Sequence, residues 1–355
     1  RVVQFGSEQY HTMDNYETEL AEDQSDDVWD GEDELYFAGI PEELWSDHDL
    51  KEPPPHPAEW VDKLADQVEI SRLLEMKVLV QASEFKDEVK GQLTTKMVRD
   101  WRRKLYVCEG QSRERWMRRS RLVAREFAVD KRDDTYSPAT GAHTSNLLPV
   151  LFLQKEVETE GMSAKYAPVL CSLDIKDAFL QVPQKDPIQV DVHGVSYVIL
   201  KNLPGQRQGA REWYWHFRQF LTDELGFSWC DIQPCLAKTP EGIVLLHVDD
   251  VLFCGNGEYF HKVFLEKCQE RFSTSYALLK DVGSSISFLK KKMVRVKDGI
   301  LLVPGANTER IVEAFETDFG PARIQAVPCD SSIQLEDTSQ CLNPSDSSKF
   351  RSIVG

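Results

Sequence analysis

Several common sequence features are missing from this chain, and each absence excludes a class of protein. Its eight cysteines form no C-x-x-C pair and no Cys/His spacing typical of a zinc site. We interpret them as reduced thiols of an intracellular protein, in preference to a disulfide framework or a zinc site. No apolar run approaches the roughly 20 residues of a membrane span. The first residues show neither a starting Met nor a signal-peptide pattern, so we expect a segment of a longer polypeptide with no membrane partner.

Positive charge is scarce in the chain as a whole, which has a net charge of −17. The acidity is confined to one end, because residues 1–50 hold 16 acidic residues and one Arg, while the rest is close to neutral. Residues 90–135 have the opposite bias, with 14 Lys/Arg against 7 Asp/Glu. A nucleic-acid groove needs only a local basic patch, which the overall charge conceals. The composition therefore allows a nucleic-acid partner.

The pattern of apolar residues predicts a mixed architecture for the 355-residue chain. Residues 1–58 are acidic and end in KEPPPHP, which favours a disordered linker, although the aromatics of this stretch leave a short docking segment as an alternative. Downstream, helical periodicity alternates with strands joined by hairpins, which predicts an α+β domain with an antiparallel sheet and helices on one face. Helices are predicted from Glu59 and at 143–158, 209–227, 258–272 and 307–320; hairpin strands are predicted at 190–200, 242–257 and 286–304.

Two adjacent acids, Asp249 and Asp250, interrupt the apolar run LLHVDDVLFCG at 245–255. At a hairpin turn both carboxylates can reach one cavity edge, and like charges this close raise each other's pKa unless a cation lies between them. Carboxylate oxygens suit Mg²⁺ or Mn²⁺. The stretch SLDIKDAF supplies a third carboxylate, Asp174, after another apolar strand. Three such groups can hold two metal ions for phosphoryl transfer, while a plain Asp-rich turn is the alternative.

These acids belong to stretches that resemble a known family. SLDIKDAFLQVPQ and HVDD resemble motifs A and C of a reverse transcriptase palm. RSRLVAREF…DTYSPAT, LPGQRQGAREWYWHF and GSSISFLKKKM resemble a copia-type retrotransposon Pol polyprotein. The resemblance covers about residues 90–320, and LNPSDSSKFRSIVG is similar to the segment that joins polymerase to RNase H.

The resemblance implies a right-hand polymerase fold: an antiparallel palm sheet with helices on one face, together with fingers and a partial thumb. The implied segments are an acidic linker at 1–58, the N-terminal helix and fingers at 59–144, the catalytic palm at 145–275, a primer-grip hairpin and partial thumb at 276–320, and a connection toward RNase H at 321–355.

The resemblance also implies site residues. Asp174 and Asp249 are the principal metal ligands and catalytic acids, Asp250 completes the acidic cluster, and the Ile175 carbonyl completes a metal shell. Phe179 matches the aromatic ring that crowds a ribose 2′-hydroxyl, with a plain core Phe as the alternative. The residues implied to meet incoming nucleotide or template are Gln208, Arg211, Arg119, Arg121 and Arg125, and those implied to hold the primer strand are His247, Lys290, Lys291 and Lys292.

Simpler roles are open for several of these residues. The fingers arginines could form a solvated basic face, and the three lysines could protect an edge strand from aggregation. The aromatics Trp213, Tyr214 and Trp215 are expected to pack a helix against the sheet. The sequence departs from the family pattern at His247 (usually Tyr), at Pro204 (usually Tyr), at Gly209-Ala210 (usually Ala-Pro) and at Asp177 (usually Thr or Gly).

The function implied is RNA-directed DNA polymerase activity with two Mg²⁺ (or Mn²⁺) ions. The implied partners are an RNA template, a DNA primer, dNTP and the integrase and RNase H segments of the parent polyprotein, in a cytoplasmic particle or the nucleus. Three rivals are open: a catalytically decayed relic that only binds nucleic acid or a protein, an acidic interaction protein that acts through residues 1–58, and a two-metal nuclease.

Overall fold

The computed structural model describes most of the chain between residues 40 and 304. The described ranges are 40–50, 53–108, 111–126, 135–163, 166–304, 311–312, 315–317 and 320–321. Most of the predicted acidic linker, most of the helix predicted at 307–320 and nearly all of the connection at 321–355 lie outside these ranges.

The acidic hairpin lies at the centre of a six-stranded antiparallel sheet, whose strand order is β13-β6-β12-β11-β10-β9 with the ranges that follow. The strands are β6 Pro168–Ile175, β9 Ser228–Trp229, β10 Leu236–Lys238, β11 Gly242–His247, β12 Asp250–Asn256 and β13 Thr274–Leu279. The apolar runs of β11 and β12 are long because these strands are buried on both sides.

The helices are α1 Glu59–Glu75, α2 Ala142–Glu158, α3 Gly209–Asp223, α4 Gly257–Tyr259 and α5 Glu266–Arg271, with a π-helical segment, Phe260–Leu265, between α4 and α5. All of these except α1 complete the core of the central sheet, whereas α1 packs in separate apolar clusters. From α3, Trp213 and Phe217 stack on each other and meet Phe272 edge to face. Burying each such ring stabilises the fold by about 2–3 kcal/mol. The predicted α+β class is confirmed.

A long hairpin forms a second layer of the molecule. Its arms are β4 Thr95–Cys108 and β5 Gln111–Ala124, and β1 Trp45–Ser46 pairs with β5 as a third strand. A 3₁₀ turn at Glu42–Leu44 precedes β1, and Leu44 packs against Val61 and Ala65 of α1. Part of the acidic N-terminal stretch is therefore docked on this hairpin.

Two smaller sheets complete the described part of the fold. The first has the order β2-β8-β7-β3, with β2 Leu79–Gln81, β3 Gln92–Leu93, β7 Pro183–Val192 and β8 Val195–Lys201. The strand pair β7–β8 turns at His193-Gly194, as predicted. The second is β14-β15-β16, with β14 Ser285–Phe288, β15 Lys291–Val296 and β16 Gly299–Pro304.

No helix within the described ranges is both long enough and apolar enough to cross a bilayer. Among the cysteines that the structure describes, Cys171, Cys230, Cys235, Cys254 and Cys268 are free thiols, and all of these except Cys230 are buried.

Candidate active site

The three acids are brought together by the register of two neighbouring strands. Asp174 of β6 is the direct cross-strand partner of Asp250, the first residue of β12. Partners of this kind share one face of a sheet, with Cβ atoms about 4.5–5.5 Å apart. Asp249 lies in the turn before β12, where its carbonyl oxygen accepts a hydrogen bond from the Ile175 N–H at 3.1 Å. Strand register thus places Asp174 and Asp250 side by side, with Asp249 in the adjoining turn.

The turn that carries Asp249 has an unusual backbone conformation and is fixed by a hydrogen bond from a tryptophan. Val248 has a φ of 57°, in the left-handed region that a β-branched residue rarely occupies. The indole Nε1 of Trp213 donates a 2.6 Å hydrogen bond to the Val248 carbonyl. This bond shows a specific role for Trp213 that the sequence reasoning, which expected only packing, did not find.

A cleft of about 520 Å³ opens over the acids. Its walls include Asp174, Asp249, Asp250, Ile175 and Phe179 from the central sheet and the adjoining 3₁₀ turn Ala178–Gln181; the hairpin contributes Lys104, Arg119 and Arg121. The cleft therefore combines a carboxylate floor with a cationic wall, as a site for a metal-bound triphosphate requires.

One acid and one arginine of the cleft have shifted pKa values. Burial and the neighbouring Asp249 charge raise the pKa of Asp250 to about 6, and nearby His247 opposes the shift only partly. On the hairpin, partial burial in the cleft and the charges of Arg119 and Arg102 lower the pKa of Arg121. The acids therefore repel one another on one wall, and the arginines repel one another on the other. A bound cation would relieve the first repulsion and a bound anion the second.

The acids have the donor chemistry for a divalent metal, although their side chains are not gathered into a closed set. Within the described ranges, no three His, Cys, Asp or Glu side chains stand close enough together to hold an ion. The raised pKa of Asp250 shows that its negative charge is under-compensated. Hard carboxylate oxygens on one face of a sheet fit Mg²⁺ or Mn²⁺ better than softer ions.

Phe179 lines the same cleft, directly after the turn at Lys176-Asp177. Asp177 adopts a left-handed φ of 54°, and its carboxylate accepts a 2.6 Å hydrogen bond from Arg72 of α1. Arg72 also pairs with Glu69 at 2.9 Å. The acid at position 177, which departs from the family pattern, therefore anchors α1 to this turn.

Two of the residues implied to meet nucleotide or template lie in a different cavity. Gln208 and Arg211 line a pocket of about 750 Å³ together with Gln184, Gln206 and Glu126, and neither borders the acidic cleft. The loop before them is fixed by Gly205, whose φ is 90° and at which a Cβ would lie 2.3 Å from the Ala124 carbonyl oxygen. The Pro204-Gly205 sequence thus forms a tight turn against the end of β5.

The remaining predicted site residues lie at or beyond the margins of the acidic cleft. His247 is the cross-strand partner of Asp250, and its buried Nδ1 has no hydrogen-bond partner. Arg125 does not line the cleft. Lys290 is in the turn between β14 and β15, while Lys291 and Lys292 are on β15; Lys292 lies opposite Ser287, which borders the cleft.

Three arginines of the basic hairpin region have structural partners that the sequence reasoning missed. Arg118 donates to Asp62 at 2.7 Å, Arg99 forks onto Asp66 at 2.9 and 2.6 Å, and Arg115 meets Glu42 at 2.7 Å and Asp47 at 2.8 Å. Burial alone would raise the pKa of Asp66, but hydrogen bonds from Arg99, Ser120 and His193 hold it below its usual range. The helical spacing of Asp62, Asp66 and Glu69 was the available signal for such a row.

Comparison with known proteins adds one relative in sequence. No family model matches the chain. A retrovirus-related Pol polyprotein from transposon TNT 1-94 of tobacco (Nicotiana tabacum) is 26% identical over 216 residues, which is 56% of this chain and 15% of that protein. The chain thus spans a small part of the relative. The resemblance to a retrotransposon Pol polyprotein is confirmed.

Solved structures give weaker similarities. A foamy viral protease-reverse transcriptase in complex with double-stranded DNA is 16% identical with a TM-score of 0.38, covering 84% of this chain and 48% of that one. Apo telomerase from Candida tropicalis is 10% identical with a TM-score of 0.39, covering 69% and 53%. In this chain, an antiparallel sheet within a mixed α+β fold presents the acids to a cleft that a long basic hairpin also lines.

Proposed function

We propose that this chain is the reverse transcriptase segment of a copia-type retrotransposon Pol polyprotein, an RNA-directed DNA polymerase. The observation that supports this most strongly is the cleft that contains Asp174, Asp249 and Asp250 on one wall and Arg119 and Arg121 on the other. The proposal includes an RNA template, a DNA primer, adjoining integrase and RNase H segments, and an intracellular location.

The three carboxylates would hold two Mg²⁺ ions, with the Ile175 carbonyl as a further ligand. Asp174 and Asp250 are direct cross-strand partners, so their carboxylates would approach one another on one face of the sheet. When bound, the ions supply positive charge at the attacking and leaving oxygens. Ion binding would also favour the ionised form of Asp250, whose pKa is raised in its absence.

The chain's other residues would bind and orient substrates. Arg119 and Arg121 face the cleft and would fork onto the triphosphate oxygens. Phe179 would crowd a ribose 2′-hydroxyl. Lys290, Lys291 and Lys292 would contact primer phosphates at the margin, together with His247 beside the primer end, while Gln208, Arg211 and Arg125 would meet the template strand from outside the cleft.

The proposed reaction transfers a nucleotidyl group from the dNTP to the primer. The primer 3′-oxygen forms a bond to the α-phosphorus of the dNTP, and the bond from that phosphorus to the bridging oxygen breaks. The hydroxyl proton is lost to water, and pyrophosphate leaves. Arg119 and Arg121 would stabilise the negative charge that accumulates on the leaving group.

Extension of an oligo(dT) primer on a poly(rA) template with Mg²⁺ tests the proposal. We expect the wild type to extend the primer and Asp249→Asn to lose activity on the order of a thousandfold. Asp223→Asn, which changes an exposed aspartate at the end of α3, is the matched control and should extend like the wild type. Equal product from the wild type and Asp249→Asn would contradict the assigned chemistry.

A second candidate is a decayed relic that binds nucleic acid without extending it. The lack of a closed metal-binding set among the described side chains favours this alternative. A wild type that retains primer–template on a filter at low salt, but gives no product with Mg²⁺ or Mn²⁺, would support the relic over the polymerase.

A further inference from the structure

The ring of Phe179 stands between the cleft and the first residue of α3. Phe179 lines the cleft, whereas Gly209 does not. A Cβ added at Gly209 would lie 3.2 Å from Cδ1 and 3.6 Å from Cε1 of that ring, and 3.9 Å from the Leu203 carbonyl oxygen. The ring therefore lies so close to residue 209 that any side chain there would press on it.

Both backbones that flank the ring are fixed by hydrogen bonds. On one side, the Leu180 N–H donates to the Asp177 carbonyl at 2.8 Å, and the Val182 N–H donates to the Phe179 carbonyl at 3.2 Å. On the other, the Gly209 N–H donates to the Gln206 carbonyl at 3.2 Å where α3 begins. If a side chain at position 209 approached the Phe179 ring too closely, the ring would have to move, because both backbones are fixed.

Backbone geometry does not require glycine at position 209. Its φ lies outside the left-handed region that favours glycine. Alanine forms helices more readily than glycine, so helix formation does not require glycine here either. The glycine is therefore explained by the space that it leaves for Phe179.

We propose that Gly209 sets how far the Phe179 ring protrudes into the cleft, and thereby how strongly the site discriminates deoxyribose from ribose. This inference rests on the proposed polymerase function and names a specificity-determining residue for it. Gly209 is a positioning residue, because it acts only through the ring. Replacing it with Ala would move the ring by a few tenths of an ångström toward the cleft, where the 2′-hydroxyl of an NTP would lie.

Single-nucleotide incorporation of dTTP and UTP opposite rA tests the inference through the ratio of the two kcat/KM values. We expect Gly209→Ala to raise the preference for dTTP roughly tenfold, within the range that small steric changes produce in binding pockets. Phe179→Ala should lower it. Gly209→Ala made in the Phe179→Ala background should leave the ratio unchanged, since the group through which it acts is gone.

Gly141→Ala is the matched control, because nothing lies within 4 Å of the added Cβ. It should leave the ratio as in the wild type, and thermal unfolding of each variant checks that the fold is intact. An unchanged ratio in Gly209→Ala, or the same change with and without Phe179, would overturn this inference while leaving the polymerase function standing. A folded wild type that incorporates neither nucleotide would sink the proposed function, and this inference with it.

Discussion

Arg118 and Arg119 are neighbours on β5, yet they lie in opposite environments. The side chain of Arg118 is 6% exposed and pairs with Asp62, which is 7% exposed, on α1. Arg119 borders the acidic cleft with Arg121, and within the described ranges neither forms an ion pair. Successive side chains of a strand point to opposite faces, so Arg118 faces α1 while Arg119 faces the cleft.

This difference divides the basic stretch into two functional classes. Arg99, Arg115 and Arg118 are matched by carboxylates of α1 and the N-terminal segment, and they hold the hairpin in place. Arg119 and Arg121 lie together on one wall of a cleft that contains three acids, and the charge of Arg119 contributes to lowering the pKa of Arg121. An excess of positive charge in a sequence therefore overstates the number of residues that can face nucleic acid.

Loss of Arg118 should have the largest effect on stability. Arg118→Met removes the only close hydrogen-bond donor that the described residues give the buried Asp62 carboxylate and leaves it Arg99 at 3.9 Å, so the loss should be about 3 kcal/mol. Urea denaturation should show a lower midpoint with an unchanged slope. Arg119→Met, one residue away, should change the unfolding free energy by under about 0.5 kcal/mol. Equal losses in the two variants would contradict the division.

Substrate binding should depend on Arg119 and Arg121, which contribute little to stability. Arg119→Gln and Arg121→Gln should each raise the KM for dNTP about tenfold, because each removes a charge-assisted hydrogen bond to phosphate. Steady-state incorporation kinetics measure this. A conservative Arg121→Lys variant should recover part of the loss, since it keeps the charge without the fork. An unchanged KM in both Gln variants would place the triphosphate elsewhere.

Burial of Asp250 should make stability depend on pH. Its pKa of about 6 exceeds the ordinary 3.8, so between these values the unfolded chain has released a proton that the folded chain still holds. Raising the pH from 4 to 6 should therefore lower the stability of the wild type relative to Asp250→Asn, with no further change above that window. Chemical denaturation of both proteins from pH 4 to 7.5 without divalent cations checks this. A constant difference across the window would contradict the shift.

The smallest effect is expected at the exposed end of the hairpin. Arg113 and Asp47 form an ion pair in which both side chains are more than half exposed. Solvent screens such pairs, so Arg113→Gln should change the unfolding free energy by under about 0.5 kcal/mol and leave dNTP binding as it is. A loss comparable to that of Arg118→Met would show that exposure does not separate the two classes.

Local patterns predicted the acidic part of the site, whereas contacts between distant segments set the basic part. The apolar runs around Asp174 and around Asp249-Asp250 mark two buried strands, and strand alternation makes their pairing on one face a natural outcome. The division of the arginines depends on which side of β5 α1 packs, and the strand sequence does not specify this. The separate cavity of Gln208 and Arg211 likewise depends on the Gly205 turn against β5.

The most direct measurement counts the Mn²⁺ ions bound to the wild type and to Asp249→Asn in the presence of primer–template and a non-hydrolysable dNTP analogue, by electron paramagnetic resonance. The convergence of Asp174, Asp249 and Asp250 beneath Arg119 and Arg121 predicts two ions in the wild type and at most one in the variant. Equal counts in the two proteins, or no bound ion in the wild type, would contradict a metal-dependent cleft at this hairpin.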